Sequence, residues 1–252
     1  MTDPLKSVAP APTIQERIIV ALDVPTPNEA REIVSELSGH AGAFKIGLQL
    51  FTSAGPGLVR EFTEAGTKIF LDLKFHDIPN TVAKASVEAA RLGVWMFNIH
   101  AIGGTDMMKR AVAEVDEFCS AENIARPLMI GVTVLTSSTA ETMSETGVNG
   151  VPEEQVVRLA RLAAEAGMNG VVTSPLEVET VKAAVPNQNF LAVTPGIRTS
   201  FATGDDQKRV TTLRQALAAG SDYVVIGRPV TQAHDRLREL NRIIEEAVSS
   251  DK

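Results

Sequence analysis

The feature that most constrains the fold of this 252-residue chain is a repeated junction between a helix and a strand. Four times, an Ala-rich helical pattern ends in glycine and an apolar strand pattern follows at once, at Gly66, Gly93, Gly167 and Gly220. Glycine just after a helix can take the left-handed conformation without steric cost, which allows an abrupt turn into a strand. The glycines are 27, 74 and 53 residues apart, so each longer gap has room for two helix–strand units.

Strands and helices are predicted to alternate along the whole chain. Apolar runs predict eight strands, near 18–23, 43–47, 68–74, 94–98, 127–133, 170–174, 190–194 and 222–227. Helical periodicity predicts eight helices, near 27–38, 54–65, 79–91, 104–119, 153–166, 175–185, 207–219 and 229–247. Such alternation implies parallel strands, and eight units in about 250 residues indicate an α/β fold of the (β/α)₈ TIM-barrel type. An open, doubly wound sheet is the alternative, but no Gly-x-Gly-x-x-Gly follows any of these strands.

The composition is typical of one soluble domain. Hydrophobic residues make up 44% and charged residues 22%, so a substantial core can form. We expect residues 14–252 to form a single barrel domain. Residues 1–13, rich in Pro, Ala and small polar types, are expected to form a loose tail.

Charge, hydropathy and cysteine content limit the partners and the compartment. The formal net charge of −7 argues against a general nucleic-acid surface. No segment reaches the ~18 continuous apolar residues that span a bilayer, and the N-terminal residues lack the apolar region of a signal peptide. The single cysteine, Cys119, excludes an intramolecular disulfide. We therefore expect a cytoplasmic protein with no nucleic-acid or membrane partner.

The most unusual stretch runs from residue 72 to residue 81 and reads DLKFHDIPNT. It continues an apolar strand, in which simple alternation puts Phe70, Asp72 and Lys74 on one face. An acid and a base inside an apolar strand are costly to bury unless they are paired, and a second acid, Asp77, follows. An isolated Asp-x-Lys is most often an ordinary half-exposed ion pair. A reacting group becomes the better interpretation because other strands also end in polar residues.

In a TIM barrel the active site lies at the C-terminal ends of the strands. The polar residues predicted at those ends are Asp23, Lys45, Asp72, Lys74, Asn98, His100, Thr133, Thr136, Ser137, Thr194, Arg198 and Arg228. This clustering at one end predicts a functional pocket. A metal site can be assembled from His76, His100, Asp72 and Asp77, but Lys74 in their midst supplies a competing cation, so we expect no metal.

The end of the eighth strand has the chemistry of a phosphate site. Gly227 lets an oxyanion approach the backbone, Arg228 offers a bidentate donor, and a helix is predicted to begin next to them. Strands 7 and 8 commonly bind phosphate in this fold, although a simple turn would also explain Gly-Arg-Pro. The polar segment 199–208 is long for a connection of this kind. We interpret it as a candidate lid, with an ordinary flexible loop as the alternative.

Taken together, these motifs resemble the signature of the orotidine 5′-phosphate decarboxylases. The most specific match is residues 72–82, DLKFHDIPNTV. Supporting matches follow in the family's order: VALD at 20–23, FKIG at 44–47, VTVLTS at 132–137, TPGIR at 194–198 and IGRP at 226–229. The likeness covers roughly residues 16–247, and no functional position departs from the pattern.

The resemblance implies an enzyme that converts orotidine 5′-monophosphate to uridine 5′-monophosphate and carbon dioxide without a cofactor, the last step of de novo pyrimidine synthesis. It implies that Lys74 donates the proton to pyrimidine C6 and that Asp72 lies beside the substrate carboxylate. Lys45 and Asp77 would complete an alternating charge array, with Asp77 reaching the active site of the other subunit of a homodimer.

The resemblance also implies the groups that hold the substrate. Asp23 and Lys45 would meet the ribose, Thr136 would lie by the pyrimidine, and Ile78 and Thr81 would accompany Asp77 from the second subunit. Phosphate would be surrounded by Arg198, Gln207, Gly227 and Arg228. The complete set of substrate-binding residues implied in this way is Asp23, Lys45, Asp72, Ile78, Thr81, Thr136, Pro195, Arg198, Gln207, Gly227 and Arg228.

Two rival functions remain open from the sequence. The 3-keto-gulonate-6-phosphate decarboxylases and hexulose-phosphate synthases share the barrel and an Asp-x-Lys-x-x-Asp core but use Mg²⁺. The continuation IPNT at 78–81 and the Thr136-Ser137 loop favour the nucleotide enzyme. A non-catalytic phosphate-binding barrel would be expected to have lost part of the charge array, which is complete here.

Overall fold

The structure, a computed structural model, describes residues 12–197 and 211–249. Within these residues eight parallel strands close into a barrel, in which each strand pairs with the next along the chain and the last pairs back with the first. The strands are β1 (Ile18–Ala21), β2 (Ala43–Gly47), β3 (Ile69–Phe75), β4 (Met96–His100), β5 (Leu128–Val132), β6 (Gly170–Val172), β7 (Leu191–Thr194) and β8 (Tyr223–Ile226). The predicted (β/α)₈ barrel is confirmed.

Helices connect the strands and cover the outside of the barrel. Those in the described ranges are α1 (Pro27–Leu37), α2 (Leu48–Ala54), α3 (Pro56–Glu64), α4 (Pro79–Arg91), α5 (Thr105–Glu122), α6 (Ala140–Glu145), α7 (Pro152–Glu165), α8 (Val178–Ala184), α9 (Leu213–Ala218), α10 (Arg228–Thr231) and α11 (Arg236–Val248). Short 3₁₀ turns add Gln15–Arg17, Ala101–Gly103 and Pro175–Glu177. None of the helices described is both long enough and apolar enough to cross a membrane.

Local sequence explains where the helices begin and which face they bury. Before α1, the Thr26 hydroxyl accepts a hydrogen bond from the Glu29 amide, and Pro27 occupies the first helical position, where its missing N–H is not needed. The buried face of α1 then recurs at helical spacing, with Ala30, Ile33, Val34 and Leu37. The four repeat glycines all adopt positive φ, between 73° and 94°, as expected for helix ends that turn abruptly into strands.

Alternation along the strands produces two apolar layers. Residues that point outward, such as Val20, Phe44 and Leu71, pack with the helices in the larger core. The residues that fill the barrel interior are Ile19, Ala21, Ala43, Phe70, Met96, Ile130, Val193 and Val225. At the N-terminal end of the strands, Trp95 and Tyr223 pack edge to face with ring centroids 5.0 Å apart. The interior is therefore a packed apolar plug, and polar side chains can gather only above it.

Several helices differ from the predicted pattern. The helix predicted at 54–65 is preceded by α2, which Gly55 and Pro56 separate from α3, because Gly55 has φ +68°. The predicted helix at 229–247 is two helices, α10 and α11, with the Asp235 side chain capping the second by accepting from the Arg238 amide. Helix α6, capped by Thr139, was not predicted because it lies in the loop after β5. The apolar periodicity continues across these caps and turns, so periodicity alone does not show that one helix ends and another begins.

Some predictions fall outside the described residues. Residues 1–11 of the predicted tail lie there, as do residues 198–210, which include the whole candidate lid and the first part of the helix predicted at 207–219. The described part of that helix is α9. At its start the Thr212 hydroxyl accepts a hydrogen bond from the Gln215 backbone N–H, and the Gln215 side chain accepts one from the Thr212 backbone N–H.

The close approach of β6 and β7 makes a specific prediction about stability. A Cβ at Gly170 would lie 2.2 Å from the Leu191 carbonyl oxygen, so Gly170→Ala forces the strands apart. We expect it to lower the free energy of unfolding by about 1–3 kcal/mol. Gly57→Ala is the matched control, because a Cβ there meets nothing within 4 Å and α3 favours alanine. Urea unfolding would check both, and a Gly170→Ala variant as stable as the wild type would contradict the tight register of these strands.

Candidate active site

A cavity of about 550 Å³ opens at the C-terminal ends of the strands. Its floor is the apolar plug, represented by Ala21, Phe70 and Val225. The polar and charged residues that line it are Asp23, Lys45, Asp72, Lys74, Thr136, Ser137, Thr173, Arg228 and Gln232. The fold therefore concentrates polar groups from distant parts of the sequence over a dry base, where electrostatic interactions are stronger than in water.

The centre of this cavity is a chain of opposite charges. The Asp72 carboxylate lies between two ammonium groups, with Oδ1 2.6 Å from Lys74 Nζ and Oδ2 3.3 Å from Lys45 Nζ. Lys45 Nζ in turn donates to Asp23 Oδ1 at 2.9 Å. The order Asp23–Lys45–Asp72–Lys74 alternates in sign, so each buried charge has an opposite neighbour.

Burial and charge act against each other in this array. Burial by itself raises the pKa of Asp72, but the positive charges of Lys45 and Lys74 and the hydrogen bonds that Asp72 accepts outweigh it, so the pKa is lowered. Burial by itself lowers the pKa of Lys45, but Asp72 and Asp23 outweigh it, so the pKa is raised. Asp72 and Lys45 are therefore both charged at neutral pH.

Strand register brings these groups to one level. Gly47 on β2 is the parallel partner of Asp72 on β3, and Lys45 precedes it on the same face. A Cβ at Gly47 would lie 3.1 Å from Lys45 Nζ and 3.2 Å from Asp23 Oδ1, so a side chain there would crowd the ion pair and force it to shift slightly. The space that the ion pair needs thus explains why the FKIG motif ends in glycine.

The backbone of β3 is irregular at Lys74, unlike that of a regular strand. The β3–β4 register shifts between Leu71 and Phe75, and Lys74 has φ +53°, a conformation uncommon for a residue with a side chain. Phe70, Asp72 and Lys74 line the same cavity, as predicted, and Lys74 pairs with Asp72, but the backbone that carries Lys74 departs from a regular strand. An irregular backbone at this position holds the ammonium over the cavity.

The opposite side of the cavity is formed by the ends of β7 and β8. Pro195, Gly196, Gly227 and Arg228 line it. Arg228 begins α10, which is a single turn that ends at Thr231. The long helix predicted after Arg228 is absent there, so its dipole contributes little, and the arginine side chain is the main source of positive charge on this side among the described lining residues.

The loop after β5 forms a third wall. Val134, Leu135, Thr136 and Ser137 line the cavity between the charge array and the β7–β8 side. Leu135 is 41% exposed, a large apolar side chain at the rim. This wall offers one apolar surface and two hydroxyls to a ligand.

Not all predicted residues meet in this cavity. Asp23, Lys45, Asp72, Lys74, Thr136, Pro195, Gly227 and Arg228 line it, whereas Asp77, Ile78 and Thr81 do not. Asp77 is exposed, and its Oδ1 accepts from the Ile78 amide at 2.6 Å. Ile78 is 65% exposed at the start of α4. Arg198 and Gln207 lie outside the described residues.

Gln232 and Leu48 line the cavity without having been predicted. Gln232 lies four residues after Arg228, one helical turn away, and Leu48 follows Gly47 directly. Helical spacing from Arg228 is a signal that could have identified Gln232. No comparable signal marks Leu48, since an apolar residue at the first position of a helix is ordinary.

The histidines near the array form a ring pair. His76 and His100 have ring centroids 5.7 Å apart. Burial lowers the pKa of His100, and the neighbouring His76 and Lys74 lower it further against the opposite effect of Asp72, which favours a neutral imidazole at His100. Across residues 12–197 and 211–249, no group of three or more His, Cys, Asp or Glu side chains is placed to hold a metal ion.

Comparison with known proteins agrees with this geometry. A family model described as "Orotidine 5′-phosphate decarboxylase / HUMPS family" matches residues 16–243. The chain is 50% identical over 236 residues to an orotidine 5′-phosphate decarboxylase of Syntrophotalea carbinolica, covering 94% of this chain and 96% of the relative. It is 49% identical to the enzyme of that name from Syntrophomonas wolfei, covering 92% and 98% of the two chains.

A solved structure agrees as well. The crystal structure of orotidine 5′-phosphate decarboxylase from Lactobacillus acidophilus superposes with a TM-score of 0.80 at 35% identity, covering 92% of this chain and 99% of that one. Sequence, barrel and cavity lead to the same assignment: this chain belongs to the orotidine 5′-phosphate decarboxylase / HUMPS family.

Proposed function

We propose that this protein decarboxylates orotidine 5′-monophosphate to uridine 5′-monophosphate and carbon dioxide, the last step of pyrimidine nucleotide synthesis. The observation that supports this most directly is the Lys74 ammonium, held 2.6 Å from Asp72 over a cavity that ends at Arg228. Relatives about half identical to this chain carry the name of this enzyme. The single cysteine, which excludes an intramolecular disulfide, supports a location in the reducing cytoplasm.

The proposed reaction uses Lys74 twice. The bond between C6 of the pyrimidine and the carboxylate carbon breaks, carbon dioxide leaves, and the electron pair remains on C6. The fixed ammonium of Lys74 stabilises that developing negative charge and then transfers a proton to C6, leaving a neutral amine that solvent reprotonates. Because Lys74 already sits in place, no reorganisation is required as the charge appears.

Asp72 and Lys45 have different parts in this scheme. Asp72 lies beside the substrate carboxylate, where repulsion raises the energy of the ground state and disappears when carbon dioxide leaves. Lys45, buried and bonded to both Asp23 and Asp72, keeps Asp72 ionised and in place. Asp23, with 54% of its side chain exposed, is free to turn toward the ribose together with Lys45.

Phosphate binding is proposed on the far side of the cavity. Arg228 and the backbone at Gly227 bind the phosphate, with Arg198 and Gln207 as further ligands and Pro195 beside them. Thr136 contacts the pyrimidine from the wall after β5. Binding of a remote dianion can offset the repulsion near the reacting carboxylate, so affinity at the phosphate assists chemistry at C6.

The site is proposed to be completed by a second subunit. Asp77, Ile78 and Thr81 lie outside the cavity of their own chain, and Ile78 and Ile102 expose 65% and 50% of their surface on the same side of the barrel as the cavity opening. Exposed apolar residues around a cavity mouth favour a two-fold interface, which would bring Asp77 of one chain to Lys74 of the other.

The Mg²⁺-dependent sugar-phosphate enzymes of the same family are the alternative. Following the ultraviolet spectrum of orotidine 5′-monophosphate after exhaustive treatment of the protein with chelator separates the two. Full decarboxylation under chelator supports our proposal. Activity that vanished and returned only with Mg²⁺ would favour the sugar-phosphate alternative.

Lys74→Ala should lower kcat by about 10⁴-fold or more, because both charge stabilisation and the proton are lost. Binding of uridine 5′-monophosphate should stay within about tenfold, since the other contacts remain. Lys182→Ala is a matched control, because Lys182 also lies 2.6 Å from an aspartate and is also 28% exposed, but at the other end of the barrel. Stopped-flow or single-turnover spectroscopy checks kcat. A Lys74→Ala enzyme with near-normal kcat would exclude Lys74 as the acid.

Arg228→Ala should lower kcat/KM for orotidine 5′-monophosphate by about 10²-fold, from the loss of charge-assisted hydrogen bonds. The slow reaction of orotidine, which has no phosphate, should change by less than about threefold. Arg236→Ala is the control, since Arg236 pairs with Glu36 rather than lining the cavity. Equal proportional losses on both substrates would show that Arg228 does not bind the phosphate.

Mixed dimers test the shared site. Lys74→Ala and Asp77→Ala homodimers should each be nearly inactive, whereas a mixed dimer has one site with both lesions and one with neither. Random equal mixing makes about half the dimers mixed, so co-expression should restore about a quarter of wild-type activity. A chain with both substitutions, mixed with Lys74→Ala, is the control that can restore nothing. Mixed dimers confirmed by mass but without activity would show that Lys74 and Asp77 act within one chain.

A further inference from the structure

The irregular part of β3 has fewer residues opposite it on β4 than a regular ladder would supply. Phe70 and Leu71 pair with Met96 and Phe97 on β4, but the next pair joins Phe75 to Ile99. Three residues of β3, from Asp72 to Lys74, therefore face a single residue of β4, which is Asn98. A buried backbone N–H in such a bulge must find a partner outside the ladder.

The side chain of Asn98 supplies that partner. Its Oδ1 accepts from the Lys74 backbone N–H at 2.8 Å. Its Nδ2 donates to Asp72 Oδ1 at 2.6 Å, the same oxygen that accepts from Lys74 Nζ. One amide therefore bonds the backbone of Lys74 and the carboxylate of Asp72 at once.

The orientation of this amide is determined by its neighbours. A backbone N–H requires an acceptor and a carboxylate requires a donor, so only one of the two amide orientations satisfies both. Asn98 is 1% exposed, which leaves no water to take over either bond. It bonds to Asp72 but does not line the cavity, so it is not placed to touch a ligand there.

We propose that Asn98 is a positioning residue that fixes the left-handed backbone of Lys74 and the carboxylate of Asp72 relative to each other. The inference rests on the proposed function, because Lys74 is the proposed proton donor. Without the Asn98 bond, a backbone at φ +53° loses a contact that stabilises it, and the ammonium shifts away from the place where charge develops.

Two variants separate the two bonds. Asn98→Ala removes both. Asn98→Asp keeps an acceptor for the Lys74 N–H but replaces the donor to Asp72 with a second carboxylate, which repels it. Asn169→Ala is the matched control, since Asn169 Oδ1 accepts from the Met129 backbone N–H at 2.9 Å at the N-terminal end of the strands.

Amide hydrogen exchange measured by NMR tests the backbone bond without reference to activity. The Lys74 N–H should exchange at least about tenfold faster in Asn98→Ala than in the wild type, and at a near-normal rate in Asn98→Asp. Unchanged exchange at Lys74 in Asn98→Ala would overturn the proposal. If the wild type failed to decarboxylate orotidine 5′-monophosphate, the proposed function would fall, while this measurement would still decide whether Asn98 holds Lys74.

Kinetics test the consequence for catalysis. Both Asn98 variants should lose about 10²-fold in kcat, while KM and the Kd of uridine 5′-monophosphate change by less than about threefold. Asn169→Ala should lower the unfolding temperature but leave kcat within about twofold. If kcat in the Asn98 variants fell no further than in this control, Asn98 would be a stabilising residue only and the proposal would be wrong. Should Asn98→Ala not fold, the isosteric Asn98→Asp decides the kinetic outcome.

Discussion

The interaction on which this site depends is the placement of one carboxylate, Asp72, between two ammonium groups. A charge this far inside a barrel is tolerated only when it is paired and hydrogen-bonded, and Asp72 satisfies both conditions through Lys45, Lys74 and Asn98. Each partner depends on Asp72 in turn, because the loss of one member leaves its neighbours buried with unbalanced charge. The array is therefore a single unit, and effects of substitutions within it should not be additive.

The closed barrel is what makes such a unit possible. Asp23 follows β1, Lys45 lies on β2, Asp72 and Lys74 on β3, and Asn98 on β4, so the array and Asn98 together involve four consecutive strands. Hydrogen-bonded register fixes the heights of Lys45 and Asp72, and the apolar plug of Phe70, Met96 and their neighbours supports the array from below. A site built on strand ends over a packed core holds its geometry better than one built on loops, which is what preorganised electrostatic catalysis requires.

The sequence predicted the parts of this arrangement that depend on periodicity and missed those that depend on register. Alternating strands and helices indicated the barrel, and the spacing of Asp72 and Lys74 indicated their pairing. The positive φ of Lys74 and the two-residue register shift could not be predicted, because they arise from how β3 meets β4. Asn98 was identified only as a polar strand end, since its bonds to Asp72 and Lys74 span 26 and 24 residues.

The charges of this chain also explain why, under the proposed function, phosphate binding and decarboxylation should be coupled. Asp23, Lys45, Asp72 and Lys74 contribute two negative and two positive charges, so the array alone offers no net attraction to an anionic substrate. Net attraction must come from the other side of the cavity, where Arg228 lies. If Asp77 of a second subunit joins the array, the carboxylate side becomes net negative and repels the substrate carboxylate until carbon dioxide leaves. Binding energy at the phosphate would then hold the reacting carboxylate in place against that repulsion. Both ends of the cavity would therefore contribute to the same chemical step.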